Sequence, residues 1–371
     1  KKLHDFSQFF LDISEFSFII LATNCNTFLK GDPMSDTTAQ TGQQDQSKGI
    51  DLLYGLHDRP PFFESLFAAL QHLLAIFASI VAPPTIICSA LDLPIQMTSY
   101  IISMALIISG VSTFIQAKRI GPIGSGLLSI QGTSFTFLGA IIAAGTGMMS
   151  SGASASAALA TIFGVCFLGS FVEMIFSRFL KLLRRVITPL VSGVVVTLIG
   201  LSLVEVAITD IAGGAGAKGT DAYGSYENLM LAGIVLVIIV IFNRSNKPLL
   251  RMSAIIIGLA VGYVIAGFMG RVDFAELQKL DWFNFPVPFK YGFFGFDIGA
   301  FITIALLFLI TTVESLGDLT ATSLVSGQPV QGEKYIKTVS GGVLGDGVNS
   351  AIAAVFNSFP NTTFSQNNEI I

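Results

Sequence analysis

The chain has 371 residues, 52% hydrophobic and only 12% charged, with a formal net charge of −4 and a mean hydropathy of +0.73. Soluble domains carry about 25% charged residues, so this composition excludes an ordinary soluble domain and reads as a polytopic membrane protein. No basic patch interleaved with aromatics points to nucleic acid, and Cys25, Cys88 and Cys166 show neither metal-ligand nor disulfide-framework spacing.

In chain order, Lys1–Pro33 precedes Met34 and holds the apolar run FSFIILATNC. That run is too short to span and lacks a basic flank and a cleavage site, so 1–33 is read as non-native sequence. The polar stretch MSDTTAQTGQQDQSKG reads as disordered, which makes 1–60 a cytosolic N-terminal segment. Spans are expected at Phe62–Val81, Thr98–Ile115, Gly124–Ala144, Ala155–Leu180, Val186–Ile208, Asn228–Phe242, Met252–Met269 and Asp297–Leu319. A shorter glycine-rich pair follows at Val339–Ala354 and Val355–Ile371. Each of the longer runs approaches the roughly 20 apolar residues that a membrane helix needs.

Basic residues set the orientation. Lys118 and Arg119, then Lys181, Arg184 and Arg185, then Arg244, Lys247 and Arg251, then Lys334 and Lys337 follow the even-numbered spans. The loops after spans one and three have no Lys or Arg, the loop after span five has only Lys218, and the loop after span seven carries Arg271, Lys279 and Lys290 but is longer and mixed with acids. The N-terminus and the even-numbered loops are therefore expected on the cytoplasmic side.

Two spans are interrupted. The third reads GPIGSGLLSIQGTSFTFLGAIIAAGTG and the tenth AVFNSFPNTTFSQNN, with a weak echo between Gln131–Phe137 and Pro360–Gln366. Interrupted apolar segments at matching places in two halves point to a transporter binding site. Extended backbone at membrane depth is tolerated only where it is buried or lines a cavity. A kink without a ligand is the plain alternative for either segment.

The stretch ITTVESLGDLTATS places Glu314 and Asp318 inside an apolar run, four residues apart and on one helix face with Thr311, Ser315 and Thr322. A charge at mid-bilayer costs on the order of 3 kcal/mol, and such residues mark substrate or proton pathways. His72 sits in FAALQHLLAIFASI with Ser65, Ala68, Ala75 and Ser79 at helical spacing, a small and polar stripe expected to face other helices. It reads as a packing group or as a group that titrates near neutral pH. Asp346, in GGVLGDGVNS, is an intramembrane acid or a turn residue. Gln366 and Asn367 suit either a heterocycle edge, which an amide can both donate to and accept from, or a helix start. The run GGAGAKGT lacks the Gly-Lys-Ser/Thr order of a phosphate loop. No catalytic triad or metal-ligand set has useful spacing, and a membrane enzyme such as an intramembrane protease, which could also use two buried acids, is the rival reading.

Taken together, TTVESLGDLTATS, GGVLGDGVNS, FPNTTFSQNN, GSGLLSIQGTSFTF, RRVITPLVSGVVVTLIGLSL and DRPPFFESLFAALQHLLAIF resemble the nucleobase–ascorbate transporter family, nearest to bacterial xanthine/urate permeases, from about Leu53 to Asn368. The resemblance implies an all-α polytopic membrane protein with two inverted repeats of seven spans. In it the third and tenth spans begin as short strands that meet at the binding site. It divides the chain into a core domain (61–183, spans one to four), a gate domain (184–271, spans five to seven), an external loop (272–296) and the second half of the core (297–371). It implies a proton-coupled symporter that imports purine bases, xanthine and/or urate, across the bacterial inner membrane, and a homodimer in the complete fold. Neither nucleic acid nor a cofactor is implied; the proton is the coupling ion.

Carried over by residue, the resemblance makes Glu314 the acid that hydrogen-bonds the base and Gln366 the amide that pairs with its edge. Phe135 stacks on the ring, Ser365 offers its backbone N–H and Ser134 helps to set which purine fits. Asp346, Asp318, His72 and Asn367 match positions that govern affinity or coupling. Two departures stand out. Glu369 stands where the family has Gly, and the sequence ends two residues later, before the remaining spans. A truncated, inactive permease is therefore the alternative expectation, with an anion transporter of the same architecture behind it.

Overall fold

The computed structural model describes residues 54–56, 58–180, 194, 197–198, 200–201, 204, 207–214, 217, 219–247, 250–251, 253–272 and 283–369, with the side chains of 367 and 369 excepted. The N-terminal segment 1–53, most of the fifth expected span, Lys181, Arg184, Arg185 and Lys218 lie outside the described residues.

Eight helices carry the description: α1 (Phe62–Ala90), α2 (Ile95–Lys118), α3 (Leu138–Ser150), α4 (Ala155–Phe176), α5 (Tyr226–Asn243), α6 (Ala254–Phe268), α7 (Ile298–Val325) and α8 (Gly332–Val355). Among the described residues, α1, α2, α4, α5 and α7 are long and apolar enough to cross a membrane. The protein is thus a mostly helical polytopic membrane protein. Polar caps fix where several helices begin: Ser154, Ser225 and Asp297 accept the N–H of Ala157, Asn228 and Ala300 ahead of α4, α5 and α7.

Several helix ends differ from the expectation, three of them in ways that bear on the site. α1 does not stop at Val81 but runs through Pro83 and Pro84 to Ala90. Proline removes one hydrogen bond, yet neighbouring helices hold a membrane helix together. α7 continues to Val325, which places Asp318 well inside the helix. α8 is one helix of 24 residues rather than a short glycine-rich piece, with Asp346 in its interior. Its glycines serve close approach: a Cβ on Gly347 would strike Met174 and Ser170 of α4, and one on Gly345 would strike Gln116 of α2. α4 accordingly packs extensively against both α8 and α7. α5 and α6 pack on each other, with Gly258 under Ile239.

Between the helices lie two three-residue strands, β1 (Gln131–Thr133) and β2 (Asn361–Thr363). They pair antiparallel, Gln131 with Thr363, Gly132 with Thr362 and Thr133 with Asn361. The ladder extends evenly at both ends: Ser134 N–H donates to Pro360 O and Phe364 N–H to Ile130 O, each at 2.9 Å. The paired segments are therefore Ile130–Ser134 and Pro360–Phe364, within and beside the two stretches of the sequence echo. Short 3-10 turns follow both strands, Phe135–Phe137 and Ser365–Glu369.

Buried backbone polar groups must find protein partners at membrane depth. The outer edges of the strands find hydroxyls. On α2, Thr113 Oγ1 accepts the Gln131 N–H at 3.0 Å and Ser109 donates to Gln131 O. On α8, Ser350 Oγ donates to Asn361 O and accepts the Asn361 N–H, both at 3.1 Å. Gly132 is required by close approach, because a Cβ there would strike the Phe364 ring and Ile80 of α1.

The described part of the loop before α7, 283–296, is pinned across helix ends. Tyr100 OH of α2 accepts the Val287 N–H at 2.9 Å, and Phe289 N–H donates to Val355 O at 2.9 Å.

Candidate functional site

The paired strands lie against the acidic face of α7 and are tied to it by hydroxyls. Thr136, in the turn after β1, donates to Glu314 Oε2 at 3.0 Å. Thr363, the last residue of β2, donates to Asp318 Oδ2 at 2.9 Å. One helical turn of α7 thus presents one carboxylate to each strand, which is what the four-residue spacing allows. Thr311, Ser315 and Thr322 are buried as expected. Thr322 Oγ1 donates to Asn368 Oδ1 at 2.7 Å, which fixes the turn after β2 to the same helix.

Asp346 is fully buried beneath the strands and belongs to an intramembrane network, not to a turn. It accepts from Ser315 of α7 and, at 3.4 Å, from Gln116 Nε2 of α2. The Ser315 hydroxyl also lies 3.4 Å from Thr362 Oγ1 of β2. The Gln131 amide lies beside Asp346, yet neither of its polar atoms makes a hydrogen bond of ordinary geometry.

Phe135 opens the turn after β1, half-buried between two apolar clusters that include Ile130, Phe364 and Phe137. Ser134 is buried, and its hydroxyl accepts the Thr136 N–H at 3.3 Å. Its side chain is therefore engaged in shaping the turn that carries Thr136 to Glu314. Ser365 and Gln366 open the turn after β2 and are exposed, and that turn rests on α1 and α7. Asn367 lies in the same turn, and the side chains of Asn367 and Glu369 are outside the described residues.

His72 is buried on α1, the helix that also lies against β1. The stripe around it divides. From His72 onward α1 buries Ile76 and Ile80, whereas Ser65 and Ala68 are exposed among the described residues instead of facing other helices.

Sequence reasoning passed over Glu173 of α4, which is fully buried. It reads as one charged letter in GSFVEMIF, and an acid within an apolar span was itself the available signal. Thr136, Thr363 and Gln116 were also passed over, because only the fold brings them to the carboxylates.

Two clefts lie apart from this network. One of about 560 Å³ is lined by Ala140, Met148, Asp297 and Thr303, and the other, of about 420 Å³, by Lys118, Arg119, Ser323 and Lys334. Neither contains the acids, so chemistry rather than volume marks the site. The second cleft gathers basic residues from after spans two and eight at one end of the bundle.

The permease family Xan_ur_permease matches residues 63–371. Xanthine permease XanP of Escherichia coli (strain K12) is 48% identical over 327 residues, covering 88% of this chain and 70% of that protein. Xanthine permease XanQ of the same strain is 46% identical over 323 residues, covering 87% and 69%. Uric acid permease PucJ of Bacillus subtilis (strain 168) is 34% identical over 307 residues, covering 82% and 66%.

Proposed function

The chain belongs to the nucleobase–ascorbate transporter family and is a membrane transporter rather than an enzyme, and on that footing we propose that it imports purine bases, xanthine or urate, together with a proton. The observation that carries the reading is the junction of β1 and β2 against the acids of α7. An oxopurine is flat, with N–H donors and C=O acceptors at its edge. In this reading Glu314 accepts from a purine N–H, Gln366 pairs with the edge, Phe135 covers the ring face and the Ser365 N–H donates to a carbonyl. Ser134 acts on the choice of purine through the turn that holds Thr136. Asp318, Asp346, His72 and Asn367 set affinity and coupling around it.

The near-symmetric strand pairing supports an architecture of two inverted repeats, with a core carrying the site and a gate that dimerises. The clustering of Lys118, Arg119 and Lys334 in one cleft supports a common cytoplasmic side for the even-numbered loops. In this reading the protein lies in the bacterial inner (plasma) membrane.

Competition tests the substrate class. Uptake of labelled xanthine should fall in the presence of excess unlabelled xanthine or urate and stay unchanged with uracil, whose single ring leaves part of the site's polar surface unpaired. Uptake blocked by uracil but not by urate would contradict the reading.

A further inference from the structure

Glu173 has no role in the site described above. It lies on α4 where that helix meets α7 and α8, on the same face as Cys166, Gly169 and Ser170. It is 0% exposed. The charged groups that face it are Asp346 from α8 and Glu314 from α7, both acids. α3, which also packs on α4, has no titratable side chain, and Arg178 beyond the end of α4 is exposed.

Its hydrogen bonding sets it apart from the other three acids. Glu314 receives a hydroxyl from Thr136, Asp318 one from Thr363, and Asp346 donors from Ser315 and Gln116. Among the described residues, Glu173 Oε2 has no hydrogen-bond partner, and Oε1 has only the Thr311 hydroxyl at 3.4 Å. That hydroxyl has one proton and a nearer acceptor, Phe308 O, at 3.2 Å. A protonated Glu173 resolves the conflict. Thr311 then donates to Phe308 O and its oxygen accepts from the carboxylic O–H. A buried carboxylate without donors or a cation is strongly disfavoured.

We propose that Glu173 is the site that holds the coupling proton while the strands are joined as they are here, an inference that rests on the symport reading. When the proton moves on, one O–H bond breaks on Glu173 and one forms on Asp346 or Glu314. The total charge of the cluster is unchanged, and the proton passes to an acid that touches the strands.

The test uses the full chain with Glu173→Gln, which keeps the shape and removes the titratable group. Infrared spectra of purified protein should show a buried carboxylic-acid carbonyl band in the unsubstituted protein that E173Q lacks. In membrane vesicles E173Q should lose uphill accumulation, which a proton can drive to about 50-fold per 100 mV, while exchange of labelled for unlabelled xanthine persists. Glu173→Asp should restore part of the accumulation. An unchanged infrared band, intact accumulation in E173Q, or loss of exchange and accumulation together from inserted protein would overturn the proposal. Accumulation by the unsubstituted protein that ignores an uncoupler would instead overturn the symport reading, and the infrared band would still decide the state of Glu173.

Discussion

Replacing Glu314 by Gln is expected to lower kcat/KM for xanthine uptake about 100-fold, a loss near 3 kcal/mol for a hydrogen bond to a charged group. The Gln amide can still accept from Thr136, so the turn after β1 should keep its place. It cannot offer two negatively charged oxygens to the N–H groups of a purine, and its own NH2 would face one of them. The loss should therefore fall on substrate and not on folding. Initial rates of labelled uptake, normalised to inserted protein, measure it. A rate within about threefold of the unsubstituted protein would place the base elsewhere, because a lost charge-assisted bond costs more than that.

Asp346 should respond differently, because it holds structure together. Asp346→Ala strips the acceptor from the Ser315 hydroxyl and from Gln116 Nε2, both in a fully buried setting. A stranded donor costs about 1–3 kcal/mol, against the roughly 5–15 kcal/mol by which a domain is stable, and what remains to the two donors is the longer contact of Ser315 with Thr362 Oγ1 at 3.4 Å and that of Gln116 Nε2 with Gly342 O at 3.3 Å. Thermal unfolding in detergent should shift markedly downward for Asp346→Ala. It should shift much less for Asp346→Asn, whose carbonyl still accepts one of the two donors. Uptake should fail in both, since neither can exchange a proton. A stable Asp346→Ala protein would show that the link between α2, α7 and α8 is not structural.

The sequence made the site legible wherever a polar residue broke an apolar pattern at helical spacing. Glu314, Asp318, Thr311 and Ser315 show as a stripe because a helix repeats its faces every three or four residues. The two interrupted spans show because Gly, Pro, Ser and Thr replace Leu and Ile there. The strand register did not show, since the echo between Gln131–Phe137 and Pro360–Gln366 is weak and carries no information on which residues pair across the ladder. Helix ends were set too short at Val81 and Leu319, because proline and polar residues end helices in water but are carried by neighbours in a packed bundle. Glu173 and Gln116 were missed for a further reason. The carboxylate that each meets is on another helix, and only the approach of α8 through Gly345 and Gly347 brings Asp346 beside them.

The measurement that bears most directly on the account is accumulation of labelled xanthine by permease-deficient cells expressing this chain, with insertion verified, in the presence and absence of a proton uncoupler. The account predicts accumulation above the external concentration that collapses when the uncoupler is added and rises as the external pH falls. Inserted protein that takes up no xanthine, or that accumulates it equally with the uncoupler present, would contradict proton-coupled purine import.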